Sequence, residues 1–147
     1  MRVLVQRVSE ASVKVAGEVV GQIGPGLLLF VGVKRDDTTA RARQLVQKIT
    51  NLRIFTDGEG KMNRSLLDVS GELLVVSQFT LYGNTSKGNR PSYSDAADRD
   101  LAHDLYEYFV GQCRATAVRV ETGIFQAHME VSLVNEGPVT LMCYAES

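Results

Sequence analysis

The chain has no tryptophan and only three prolines, two cysteines and two histidines among its 147 residues. Each scarcity excludes something. Cys113 and Cys143 stand far apart, with no C-x-x-C and no Cys/His cluster. A disulfide framework or a metal site is therefore not expected, no cofactor is called for, and reduced thiols in a cytoplasm fit best. No stretch approaches the roughly 18 apolar residues of a membrane span, and the opening MRVLVQRVSE lacks a signal-peptide pattern. Charge of one sign is missing too: 16 Lys and Arg meet 17 Asp and Glu, for a formal net charge of −1. Proteins that hold long tracts of nucleic acid present a basic face, so any RNA contact here is expected to be local and to involve few phosphates. Lys87 and Arg90, in the polar stretch NTSKGNRPS, are the cations available for it, although solvated loop charges are the simpler reading.

The shortage of histidine bears on catalysis, because a conventional nucleophile needs a base beside it. His103 lies between Asp100 and Asp104, off the apolar stripe of a predicted helix. His128 alternates with Gln126 and Glu130, opposite the apolar face of Phe125, Ala127, Met129, Val131 and Leu133. Both read as solvated surface residues. G-x-S-x-G, P-loop and G-x-G-x-x-G patterns are absent. An enzyme with this sequence works without a visible triad.

What is present is an ordinary globular composition, 44% hydrophobic and 22% charged. It suits one domain over residues 1–147, long enough to bury roughly 68–70% of its extended-chain surface. Val13 and Val15, then Val19 and Ile23 across Ala16-Gly17, predict a β-hairpin. After Gly24-Pro25-Gly26, the unbroken run GLLLFVGV predicts a strand buried on both faces. Ala42, Leu45, Val46 and Ile49 fall at helical spacing, with Asp36 or Asp37 available as N-cap. Leu52 to Phe55 reads as a strand ending in a turn at residues 57–60, and GELLVVSQFTLYG as the strongest strand of the chain. A second helix is predicted from Tyr93 to Val110 on the stripe Ala97, Leu101, Leu105, Phe109, and strands at about 116–121, 124–134 and 139–145. The fold class is α+β, with antiparallel sheets forming a barrel-like core beside two main helices.

Two short stretches resist a purely architectural reading. In VSQFTLYGN the hydrophobic strand admits Ser77, Gln78 and Thr80 in quick succession before a glycine. This is a strand with one wet face, or a strand end that aims N–H groups and hydroxyls at one point, as oxyanion stabilisation requires. In SLVNEGPVTL, Gly137-Pro138 divides two strand-like runs; the plain reading is a turn, the other a projection with a task.

The order RVSEASVKV, GLLLFVGV, KITNLRIF, GKMNRSLLD, GELLVVSQFTLYG, KGNRPSY and VSLVNEGPVT resembles the D-aminoacyl-tRNA deacylases over essentially the whole chain, most specifically in SQFTLYG and NEGPVT. The resemblance implies hydrolysis of the ester joining a D-amino acid, or mischarged glycine, to the 3′ end of tRNA by a cytoplasmic, metal-free homodimer with its sites at the interface. It implies that Ser77, Gln78, Phe79 and Thr80 line the site. The N–H groups around Phe79 and Thr80 would hold the substrate carbonyl, and Gln78 would address the terminal ribose. It further implies that Gly137-Pro138 is cis, against the general X–Pro preference for trans, and reaches into the partner's pocket to screen chirality. Arg7 would brace that motif, and Phe125 and Met129 would enclose the adenine. One position departs from the family pattern: Gln126 stands where a small residue, usually glycine, follows the Phe. Two other readings stay open, a related deacylase for L-alanine mischarged onto tRNA and a non-catalytic module that binds RNA 3′ ends.

Overall fold

A computed structural model describes residues 1–146. The chain runs β1 (Arg2–Val15), β2 (Glu18–Ile23), β3 (Gly26–Gly32), α1 (Thr39–Asn51), β4 (Phe55–Thr56), β5 (Met62–Arg64), α2 (Leu66–Val69) and β6 (Glu72–Ser77). A 3₁₀ turn (Phe79–Tyr82), α3 (Arg99–Ala115), β7 (Val120–Thr122) and β8 (Glu130–Tyr144) complete it. The class is α+β with two substantial helices, α1 and α3. The main sheet has the order β2-β1-β3-β6-β7, with β8 paired to β1. β1 pairs antiparallel with β2, β3 and β8, whereas β3–β6 and β6–β7 are parallel. The sheet is thus mixed where antiparallel pairing alone was expected: α1 and α3 carry the chain back to the same end of the sheet, as parallel neighbours require.

The run GLLLFVGV is buried on both faces, and the alternation explains how. Leu27 and Leu29 of β3 and Leu73 and Val75 of β6 pack with Leu45, Ile49, Leu105 and Phe109 of the helices. Leu28, Leu74 and Val76 point the other way, joining Val13 and Ile23 inside the curled sheet. Period-two geometry lets one strand feed two cores only if every position is apolar. The curl is almost a closed barrel. β2 comes up to β7 so tightly that a β-carbon on Gly21 would lie 2.4 Å from the Thr122 carbonyl oxygen. Gln22 N–H donates to Glu121 Oε1 across the same seam at 3.4 Å.

Several element boundaries move from their sequence-based positions. Thr38, not an Asp, caps α1, accepting from Arg41 N–H. Asp37 is engaged elsewhere, buried against the Met1 ammonium at 2.7 Å. Leu52 caps the C-terminus of α1, so the strand expected at 52–55 begins only at Phe55. α3 starts at Arg99 because the Asp98 side chain takes the Leu101 N–H, while Ala97 N–H is held by Val33 O. The strand expected through residue 83 stops at Ser77. The last expected strands are one, β8, preceded by a loop. Cys113 is fully buried, its thiol pushed up to about 12 by desolvation, and it serves as apolar packing. Among the described residues no helix is long and apolar enough to cross a membrane.

Gly21→Ala should destabilise the protein by about 1–3 kcal/mol, because the new methyl meets main chain at the seam. Gly111→Ala, in α3 with nothing near its β-position, should stabilise by about 0.5–1 kcal/mol. Urea unfolding of the two variants measures the contrast.

Candidate active site

β6 ends at Ser77 because Gln78 leaves the ladder. Its N–H still donates to Val31 O at 2.8 Å, but its backbone turns into the 3₁₀ segment, whose first internal bond is Leu81 N–H to Gln78 O at 3.3 Å. Phe79 and Thr80 are therefore the first residues of a helical turn, with no carbonyl of that turn for their N–H groups to reach. Gly83 N–H closes the turn on Thr80 O at 2.9 Å. The Thr80 hydroxyl accepts from the Gln78 carboxamide. That partner is a donor, so it cannot remove the hydroxyl proton.

Beside this turn lies a cleft of about 680 Å³. Ser77, Gln78 and Phe79 form one wall, Phe125 and Met129 another, and Ala97, Arg99 and Ala102 of the α3 region a third. Thr80, expected from the sequence to line the site, is exposed and does not line the cleft. Phe125 is set by α3: its ring meets the edge of His103 at 5.1 Å and lies 6.0 Å from Tyr106. Tyr106 is anchored by donating to Val75 O at 2.7 Å, and burial raises the pKa of its hydroxyl. Met129 packs over Gly123, where a β-carbon would lie 2.5 Å from its sulfur. His128 is exposed, as read from its alternation, yet it also lines the cleft. Arg99 and His128 are the ionisable cleft residues that sequence reasoning did not bring to this site, beside the apolar Val76, Ala97, Ala102, Ala127 and Val131. Only the packing of α3 beside the 124–129 loop brings them there, and no local pattern carried that information.

The departure at Gln126 acquires a physical meaning. Ala127 N–H bonds back to Ile124 O at 3.2 Å, and Gln126 sits in this turn at φ 65°. This is the left-handed region, where glycine has no penalty and a side chain does.

Gly137 and Pro138 do not line this cleft; they are exposed on β8. The peptide bond between them is cis. Between the pairs Gln6↔Thr140 and Val8↔Asn135, β1 supplies one residue, Arg7, whereas β8 supplies Glu136, Gly137, Pro138 and Val139. The surplus bulges out of the sheet. Arg7 is only 5% exposed, and its guanidinium donates to Glu136 O at 3.2 Å, Gly137 O at 3.3 Å and Ile54 O at 2.7 Å. The Asn135 carboxamide spans the base of the bulge, donating to Arg7 O at 3.1 Å and Val139 O at 3.0 Å.

A family model described as D-Tyr-tRNA(Tyr) deacylase matches residues 4–144. The chain belongs to this family. It is 58% identical to the D-aminoacyl-tRNA deacylase of Thermosipho africanus over 142 residues, 97% of this chain and 95% of that one. Its identity to the D-aminoacyl-tRNA deacylase of Desulfitobacterium hafniense is 57% over 146 residues, covering 99% and 98%. A solved structure described as c-Myc DNA Unwinding Element Binding Protein superposes with a TM-score of 0.94 at 38% identity, covering all of both chains.

Replacing Gln126 tests the turn directly. Gln126→Gly should be more stable than Gln126→Ala by about 1 kcal/mol, since only glycine is unstrained at this φ. Equal denaturation midpoints would show that the turn relaxes instead.

Proposed function

We propose that the protein hydrolyses the ester of D-aminoacyl-tRNA, and of glycine mischarged onto tRNA, releasing the free amino acid and tRNA. The observation that carries this reading is the cleft in which Ser77, Gln78 and Phe79 face Phe125 and Met129, in a chain of the deacylase family. The terminal adenine lies against Phe125 and Met129, and Gln78 addresses the ribose. The ester carbonyl is directed at the Phe79 and Thr80 N–H groups, where charge develops as water attacks; donors fixed in advance at that point are an effective source of rate. Water is the nucleophile, helped by the neighbouring ribose hydroxyl, because the Thr80 hydroxyl has only the Gln78 amide as side-chain partner among the described residues and an unactivated hydroxyl is weak.

The active unit in this reading is a two-fold homodimer of single-domain subunits spanning residues 1–147, working in the cytoplasm. Gly137 and Pro138 of one subunit enter the cleft of the other. Their exposure and the Arg7 brace behind them support a rigid main-chain probe. An L-amino acid drives its side chain into that main chain, a D-amino acid turns away, and glycine has nothing to clash. A thousandfold preference requires about 4 kcal/mol, above the roughly 1–3 kcal/mol that overpacking costs where neighbours can shift, and so it requires main chain that cannot yield.

Matched D- and L-tyrosyl-tRNA, incubated with the protein while free tyrosine is counted, test the reading. Release from the D-form alone is expected, retained to a substantial degree in Thr80→Ala and abolished when the terminal 2′-hydroxyl is replaced by hydrogen. Binding without release would make the protein a 3′-end binding module, and release from an L-alanyl ester would place it with the sister activity.

A further inference from the structure

Phe79 has a second neighbour that the cleft does not explain. Its ring meets the ring of Tyr93 edge-on, with centroids 5.2 Å apart and planes at 67°. Both rings are open to solvent, Phe79 at 55% and Tyr93 at 41%. Exposed rings in contact leave apolar surface uncovered at a place where burial would be favourable. Tyr93 does not line the cleft, whereas Phe79 does. The pair therefore leads from inside the cleft to the outer surface.

The position of Tyr93 is built. Its ring rests on the Gly83 main chain, where a β-carbon would lie 3.0 Å from Tyr93 Cε1. Asn84 and Ser92 exchange main-chain hydrogen bonds of 2.7 and 2.9 Å, closing the loop just before it. Ala96 N–H is held by Tyr93 O at 3.1 Å, and Arg35 Nη1 by Ser94 O at 3.1 Å. Cations without internal partners belong to the same region: Lys87 and Arg90 lie in the loop that Asn84 and Ser92 close just before Tyr93, Arg99 lies on the cleft wall with Phe79, and none of the three makes a side-chain hydrogen bond or ion pair among the described residues. The nearby Asp98 carboxylate is already occupied by the Leu101 N–H.

We propose that the Phe79–Tyr93 pair is a stacking platform for the nucleobase that precedes the terminal adenosine of the substrate, with the loop cations beside the phosphates of that single strand. Ring faces beside unpaired cations are the combination by which proteins hold single-stranded RNA. The inference rests on the deacylase reading for its occupant. Continuity with the cleft argues for that occupant: Phe79 belongs both to the cleft lining and to the ring pair outside it, so a strand whose terminal nucleoside fills the cleft and which passes this rim brings its preceding base to the pair.

Two measurements on the full-length protein test it. The first compares D-tyrosyl-tRNA with D-tyrosyl-adenosine, which lacks the preceding base, in wild type, Tyr93→Ala and Tyr93→Phe. Tyr93→Ala should lower kcat/KM for the tRNA about tenfold, equivalent to about 1.4 kcal/mol, with the change in KM and not in kcat. The loss should be absent with D-tyrosyl-adenosine, and Tyr93→Phe should restore the tRNA value. The second measures binding of the uncharged trinucleotide CCA against AMP; Tyr93→Ala should weaken the trinucleotide alone. An equal loss on both substrates, or none on either, overturns the platform. If the wild type releases no amino acid from any ester, the deacylase reading fails by itself, and the trinucleotide measurement still decides the platform.

Discussion

A buried guanidinium organises this molecule. Arg7 lies on the face of β1 that carries Val3 and Val5, a position where apolar side chains are the rule. A charge there is tolerable only with fixed partners, and three main-chain carbonyls, those of Ile54, Glu136 and Gly137, supply them. The dependence runs both ways. The bulge gives up its ladder bonds to β1, so its carbonyls need a donor from elsewhere; Arg7 is the one residue of β1 opposite the gap. The same hydrogen bonds that replace water around the Arg7 charge fix the carbonyls of Glu136 and Gly137 in the bulge.

That arrangement divides the labour within one chain. The cleft is assembled from the end of β6, the loop before β8 and the start of α3, and in the proposed reading it holds the terminal nucleoside and the ester. The bulge stands apart from it, exposed and braced from behind. In the proposed dimer each subunit contributes a rigid probe to its partner's cleft, and discrimination belongs to the position of main chain held by an interior charge.

Much of this was legible in the residues, for reasons that can be named. An all-apolar run such as Leu27–Leu29 has one physical use, a strand feeding two cores, and the helical stripe of α1 needs no partner to be recognised. SQFTLYG and NEGPVT were visible as family motifs, and Gly137-Pro138 as a break in a strand. The failures share a cause. Asp37 is chemically a good N-cap, but the Met1 ammonium, 36 residues away, competes for it. Residues 93–98 have helical spacing, yet Val33 and Asp98 take the N–H groups that would have started the helix there. Arg99 enters the cleft only when α3 packs, and Gln126 reveals its strained φ only in the folded turn. Local pattern gives the elements; partners distant in sequence decide where they begin and what they face.

The division of the site between subunits is the central claim, and subunit mixing tests it most directly. A variant lacking the bulge, with Glu136–Pro138 shortened, and a Gln78→Ala variant would each be inactive alone. Random re-pairing of the two should return about a quarter of wild-type D-tyrosyl-tRNA hydrolysis, since half of the dimers then hold one complete site of two. Recovery on that scale is the predicted result. No recovery, with mixed dimers demonstrably present, would show that cleft and bulge act within a single chain and would contradict the account.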